Sequence, residues 1–156
     1  MSLAIANRNE AYHNIIDKLP NKRKDVFQMY ERHPHSSAWD ISMKTMLPIN
    51  EITARTTELK YIFLIVESGS KINQYSKKSN TTYRAVKNIN ERIDLVNAAF
   101  VKLRDAKDKL INDYHTGISQ FSKTLLKKEI TKIQSQIKSL DKIFNNGKTN
   151  LTNGKS

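Results

Sequence analysis

Apolar positions along this chain switch period twice, from helical to strand-like and back. Leu3, Ile5, Tyr12, Ile15, Ile16 and Leu19 carry a weak helical pattern that stops at Pro20. A second helix is predicted over 21–33, with Val26, Phe27, Met29 and Tyr30 along one side, ending where His33 precedes Pro34. Ser37-Ala38-Trp39-Asp40 has the form of a capping box and is followed by Ile41, Met43 and Met46, a short amphipathic helix. Leu47-Pro48-Ile49 interrupts, and Asn50 is the expected N-cap of the next helix, with Glu51 in its first turn. Ile52, Thr56, Leu59 and Phe63 then form one stripe. The run Phe63 to Val66 and the run Thr81 to Val86 read as two strands around a long polar loop, Ser70 to Asn80.

Helical periodicity returns at Ile89 and lasts. Ile89, Ile93, Val96, Phe100 and Leu103 form one heptad-like seam, resumed by Leu110 and Tyr114. Leu126, Ile130, Ile133, Ile137, Leu140 and Phe144 form a second in a shifted register. Either one long helix passes through His115-Thr116-Gly117 with a stutter, or two helices fold back there. The last stretch, Asn145 to Ser156, is expected to be a disordered basic tail. The fold class is therefore mainly α with a small β-hairpin. The expected divisions are an N-terminal helical arm (1–20), a central domain (21–87), a helical region (88–144) and the tail (145–156).

Charge adds a partner class to this picture. The formal net charge is +12, and its excess is localised: +4 over residues 61–87 and +6 over 121–156, against +2 over 1–60 and zero over 88–120. Such patches suit an anionic partner, nucleic acid before a membrane surface. The chain has no cysteine, so neither a disulfide framework nor a thiolate zinc site is available, which fits a reducing compartment. Its densest apolar run, Tyr61 to Val66, falls far short of a bilayer span, and the first residues lack the order of a signal peptide. The expectation is a cytoplasmic protein, nucleoid-associated or in the host cytoplasm if phage-encoded, without membrane attachment.

Helix, helix, turn, helix and two-stranded hairpin is the winged helix-turn-helix order, and residues 21–86 resemble the MarR-type winged-helix domains of bacterial and phage regulators. The resemblance rests on Ser37-Ala38-Trp39-Asp40-Ile41, then Leu47 to Leu59, which ends in Glu58-Leu59, then Leu64-Ile65-Val66-Glu67-Ser68-Gly69. It covers under half the chain, and the order of these pieces carries it. Phe63 departs from the pattern, which places glycine just before the first wing strand.

The resemblance implies duplex DNA as partner, read by a helix in the major groove and gripped by the wing. With Ile52, Thr56 and Leu59 turned inward, Asn50, Glu51, Thr53, Ala54, Arg55, Thr57 and Glu58 remain for DNA or solvent. The recognition set is Asn50, Glu51, Thr53, Ala54, Arg55 and Thr57. Arg55 either pairs with a guanine or pairs with Glu58 three residues on. Asn50 suits adenine and Glu51 a cytosine amino group. Lys71, Lys77, Lys78 and Arg84 of the wing are expected on phosphates. Trp39 is expected as a core or helix-contact residue. The seam residues Ile93, Val96, Phe100, Leu103, Ile130, Ile133, Ile137 and Leu140 are expected to form a homodimer, or to bind another protein. No enzyme, cofactor or metal is expected: His33 and His35 have no partner at ligand spacing, no G-x-S-x-G elbow occurs, and neither Gly-Lys-Thr nor Gly-Lys-Ser in the tail fits a P-loop. The function so predicted is a sequence-specific double-stranded DNA-binding protein, a dimeric transcription regulator. The alternative is the DNA-binding subunit of a mobile-element or phage replication, partition or packaging machine.

Overall fold

The computed structural model describes the backbone of residues 3–116 and 119–152 and the side chains of 10–116 and 119–142. The elements are α1 (Leu3–Asp17), α2 (Asn21–Arg32), β1 (Ser36–Ser37), α3 (Ala38–Thr45), α4 (Ile49–Tyr61), β2 (Ile65–Ile72), β3 (Ser79–Ala85), α5 (Ile89–His115) and α6 (Gln120–Thr152). The chain is mostly helical with one small antiparallel sheet, and it divides into two compact units, 1–92 and 93–156. No helix among the described residues is long and apolar enough to cross a membrane.

In the first unit, α1 is part of the core rather than a separate arm. Tyr12, Ile16 and Leu19 recur at helical spacing and are buried, and the Tyr12 hydroxyl donates to the Val86 carbonyl at the end of β3. Val26, Phe27 and Tyr30 of α2, Ile41 of α3, and Ile52, Thr56 and Leu59 of α4 complete the interior with Leu64, Ile65 and Val86. The buried Thr56 hydroxyl donates to the Ile52 carbonyl, so the Tyr30 hydroxyl, 2.9 Å away, donates to Thr56. Tyr30 also meets the Tyr83 ring edge-to-face at 5.9 Å, tying α2 to the sheet.

The capping box is present as read: Asp40 N–H donates to Ser37 Oγ at 3.2 Å, and Ser37 N–H donates to Asp40 Oδ2 at 2.8 Å. The next helix starts two residues earlier than expected. Pro48 holds the N-cap position, its carbonyl accepting from Glu51 and Ile52 N–H groups, and Asn50 lies inside the first turn. Proline supplies the extended entry (ψ 134°) there, so a side-chain cap is not needed.

Phe63 is not a strand residue. It is left-handed (φ 57°), with its N–H on the Lys60 carbonyl and the Leu64 N–H on the Leu59 carbonyl. Those paired bonds are a Schellman ending, whose left-handed position glycine most often fills. β2 begins only after this turn, at Ile65.

The sheet has a third strand that the sequence reading missed, in the order β1-β3-β2. Ser36 pairs with Tyr83 and Ser37 with Thr82. The hairpin itself is longer than expected, and its loop correspondingly shorter, Asn73 to Lys78. Ile72 pairs with Ser79, and a bulge between Glu67 and Gly69 takes up the extra residue Ser68, with Gly69 at φ +136°. Arg92, in the first turn of α5, is buried and donates from Nε to the Ile62 carbonyl at 3.1 Å, placing a cation at the C-terminal end of α4.

The second unit consists of the rest of α5 and α6. The chain breaks between them after His115, so a single continuous helix is excluded. Leu140 is buried far beyond the break, and Lys123 sits over the Tyr114 ring at 5.6 Å, as in helices that fold back on each other. The expected disordered tail is corrected over 145–152, which continue α6, while 153–156 lie outside the described residues. Its Asn and Gly residues are poor helix formers, but extending an existing helix needs no new nucleus.

Candidate nucleic-acid interface

The α3–α4 pair and the β2–β3 hairpin bring most of the sequence-derived residues to the surface of the first unit. With Ile52, Thr56 and Leu59 buried, α4 turns Asn50, Thr53, Ala54 and Thr57 outward, at steps of three, one and three residues, as one exposed stripe. Thr53 and Thr57 donate their hydroxyl protons to the Ile49 and Thr53 carbonyls, leaving methyl groups and acceptor lone pairs facing out. The stripe is therefore small and uncharged.

The two charged members of the expected recognition set are occupied elsewhere. Glu51 is paired with Lys22 of α2 at 2.6 Å. Arg55 donates from one Nη1 to both Glu58 oxygens at 2.7 Å, and Glu58 also takes Arg23 of α2 through Nε and Nη2. Of the two roles open to Arg55, pairing with Glu58 is the one seen. The cluster fixes α4 against α2; Arg55 Nε is buried there without a hydrogen-bond partner among the described residues.

The wing cations divide in the same way. Lys71 pairs with Asp40 at 2.7 Å, on Oδ2, the same oxygen that takes the capping-box bonds from Ser37. Burial works against charge on Asp40, but the bonds from Lys71 and Ser37 outweigh it and hold the carboxyl below its usual range. Arg84 donates to Glu91 at 2.5 Å and to its neighbour's carbonyl, and the Arg84 bond, with that from the Lys87 N–H, holds the Glu91 carboxyl below its usual range. Lys77 and Lys78 are exposed at the hairpin tip and make no ion pair among the described residues. The tip that carries them is ordered by Asn73, whose buried Oδ1 accepts from the Tyr75 and Ser76 N–H groups, while its own N–H and C=O bond Lys78 and Lys77.

Trp39 is not a core residue. It is half-buried at the start of α3, with its ring 5.3 Å from that of Tyr75, which is 77% exposed. The two rings border an open cleft of about 470 Å³ whose walls include Ile49 and Thr53 of α4 and Asn73, Ser76, Asn80 and Thr81 of the hairpin. Sequence reasoning passed over Tyr75, Asn73 and Asn80; the signal available was a tyrosine two residues before Lys77-Lys78 in a polar loop.

In the second unit, the expected seam residues Ile93, Phe100, Leu103, Ile130, Ile133 and Ile137 are half-buried and Val96 and Leu140 buried within one chain. Val101, Phe121 and Leu125 stay exposed. No group of three or more His, Cys, Asp or Glu that could hold a metal ion occurs among the described residues. Compared with known proteins, the chain matches no family model and no curated sequence.

Proposed function

We propose that this protein binds double-stranded DNA through a winged helix-turn-helix formed by residues 21–87, with α4 in the major groove and the β2–β3 hairpin as the wing. One observation carries the reading: the exposed stripe of α4 is short-chained and neutral, beside a hairpin tip whose two lysines make no ion pair among the described residues. Small side chains let a helix sit deep in the groove. Asn50 suits the N6/N7 edge of adenine, and the methyls of Thr53, Ala54 and Thr57 suit the thymine methyl. The order of elements supports the same reading, as does a sheet arranged β1-β3-β2, which sets the wing beside the helix pair.

Base reading falls to Asn50, Thr53, Ala54 and Thr57, and phosphate contact to Lys77 and Lys78. Glu51 and Arg55 position α4, and Lys71 and Arg84 position the hairpin. In this role the protein is a transcription regulator of the MarR-like type, with a second copy covering Val101, Phe121 and Leu125.

Selection of bound sequences from a random duplex pool tests the reading. Wild-type protein should enrich a site containing A·T pairs, Asn50→Ala should relax one position of it, and Arg55→Ala should leave it unchanged. A pool that stays random rejects sequence-specific binding.

A further inference from the structure

We propose that the cleft between Trp39 and Tyr75 is a pocket for an unpaired nucleobase. The inference rests on the DNA-binding reading above and extends it to a second mode of contact.

The pair of rings is held by two independent devices. The Ser37/Asp40 capping box sets the first turn of α3 and with it Trp39, and the Asn73 turn sets Tyr75. A tyrosine at a hairpin tip, 77% exposed, adds little to the core, yet the loop beneath it is held by four hydrogen bonds centred on Asn73. Flat apolar faces presented to solvent in this way suit a planar ring, since every base offers a π-face.

The polar walls suit a base edge. Oδ1 of Asn73 is consumed by two backbone N–H groups, which fixes the amide and leaves its NH₂ with no partner among the described residues. The Asn80 carboxamide, also lining the cleft, is likewise unpartnered among the described residues. A donor amide and a carboxamide beside two aromatic rings form the lining that a nucleobase uses and a purely apolar ligand does not.

Placement supplies the rest. Ile49 and Thr53 belong both to the cleft wall and to the outward side of α4, and Lys77-Lys78 follow Tyr75 by two residues. A strand passing the tip would set its phosphates on the lysines and one base in the cleft. The rings are 5.3 Å apart and tilted by 46°, so a base enters by displacing the exposed Tyr75 ring, Trp39 staying in place.

Trp39 is the sole tryptophan of the chain, so its fluorescence reports the pocket directly. The full-length protein is titrated with oligothymidylate, with thymidine monophosphate and with a fully paired hairpin duplex, each also followed by anisotropy of a labelled strand where one exists. Oligothymidylate should quench Trp39. Tyr75→Ala should shift the quenching titration to about tenfold higher oligothymidylate concentration, the size of one base–aromatic stack, while Tyr75→Phe leaves it in place. Quenching by thymidine monophosphate at equal base concentration also supports the pocket and names free nucleotides as a source. Oligothymidylate that binds by anisotropy without moving Trp39 emission, or with full affinity for Tyr75→Ala, overturns the pocket and leaves duplex binding intact. Absence of any anisotropy change, duplex included, overturns the DNA reading; if thymidine monophosphate then also leaves Trp39 emission unmoved, the pocket falls with it.

Discussion

Replacing Asp40 by alanine is expected to loosen the first unit while freeing a cation for DNA. Asp40 accepts from the Ser37 N–H and Oγ, both at 2.8 Å, and pairs with Lys71 at 2.7 Å. Loss of the carboxylate half of the cap, with the residue-40 N–H still on Ser37 Oγ, costs about 1 kcal/mol. The ion pair adds less: the Lys71 side chain is 48% exposed, so solvent screening holds its worth to about 0.5 kcal/mol. The sum, about 1.5 kcal/mol, corresponds to roughly 6–12 °C in Tm for a unit of this size. Urea melts followed by circular dichroism measure it, and a cycle with Lys71→Ala separates the terms. Lys71→Ala alone should cost no more than about 0.5 kcal/mol and should leave the salt slope of DNA binding unchanged. Asp40→Ala should steepen that slope by up to about 0.9, the value of one more phosphate contact. An Asp40→Ala protein as stable as wild type would refute the capping account. A Lys71→Ala protein with a flattened slope would show that Lys71 leaves Asp40 for a phosphate.

Further outcomes follow from strain, burial and the seams. Met46 is left-handed (φ 59°) and 92% exposed, so Met46→Gly should stabilise by about 0.5–1 kcal/mol in denaturant melts; the same change at half-buried Phe63 should gain less, because packing is lost with the strain. Burial pushes the Tyr30 hydroxyl up to about 12, so its stabilising contribution is complete below the unfolded value of about 10 and is lost as pH rises through about 12. Urea midpoints should therefore fall over that window and fall less for Tyr30→Phe; parallel profiles would contradict the assignment. Sedimentation should find a dimer at tens of micromolar, and Phe100→Lys with Ile133→Lys should abolish it; a monomeric wild-type protein would leave the α5–α6 pair to another partner or to its own fold-back.

The helices were legible wherever a buried stripe recurs over several turns. Tyr30, Ile41, Ile52 and Leu59 are each 0% exposed, and all lie on stripes visible in the sequence. The Ser37-x-x-Asp40 cap was legible because both of its partners are local. Strand β1 was not: two serines carry no periodicity, and they become a strand only because Tyr83 and Thr82 of a distant segment pair with them. The hairpin was underestimated for the same reason, since its outer rungs, Lys71 with Asn80 and Ile72 with Ser79, join polar or exposed residues that read as loop. In the candidate site, the stripe Asn50, Thr53, Ala54, Thr57 followed from period alone. The Arg55–Glu58 pair was one of two readings, being local at three residues apart, but the pairing of Lys71 with Asp40 and of Arg84 with Glu91 was not legible, because it depends on tertiary placement. The Trp39–Tyr75 cleft depends on a contact 36 positions apart in the chain, which no local pattern encodes.

The measurement that bears most directly on the central claim is the salt dependence of duplex binding. Anisotropy of a labelled duplex is followed across salt concentrations for wild type and for Lys77→Ala with Lys78→Ala. Two phosphate contacts at the hairpin tip should make the wild-type slope steeper than that of the double variant by about 1.8, with affinity for all duplexes falling together. A wild-type protein that binds no duplex at low salt, or a double variant with the wild-type slope, would contradict the account.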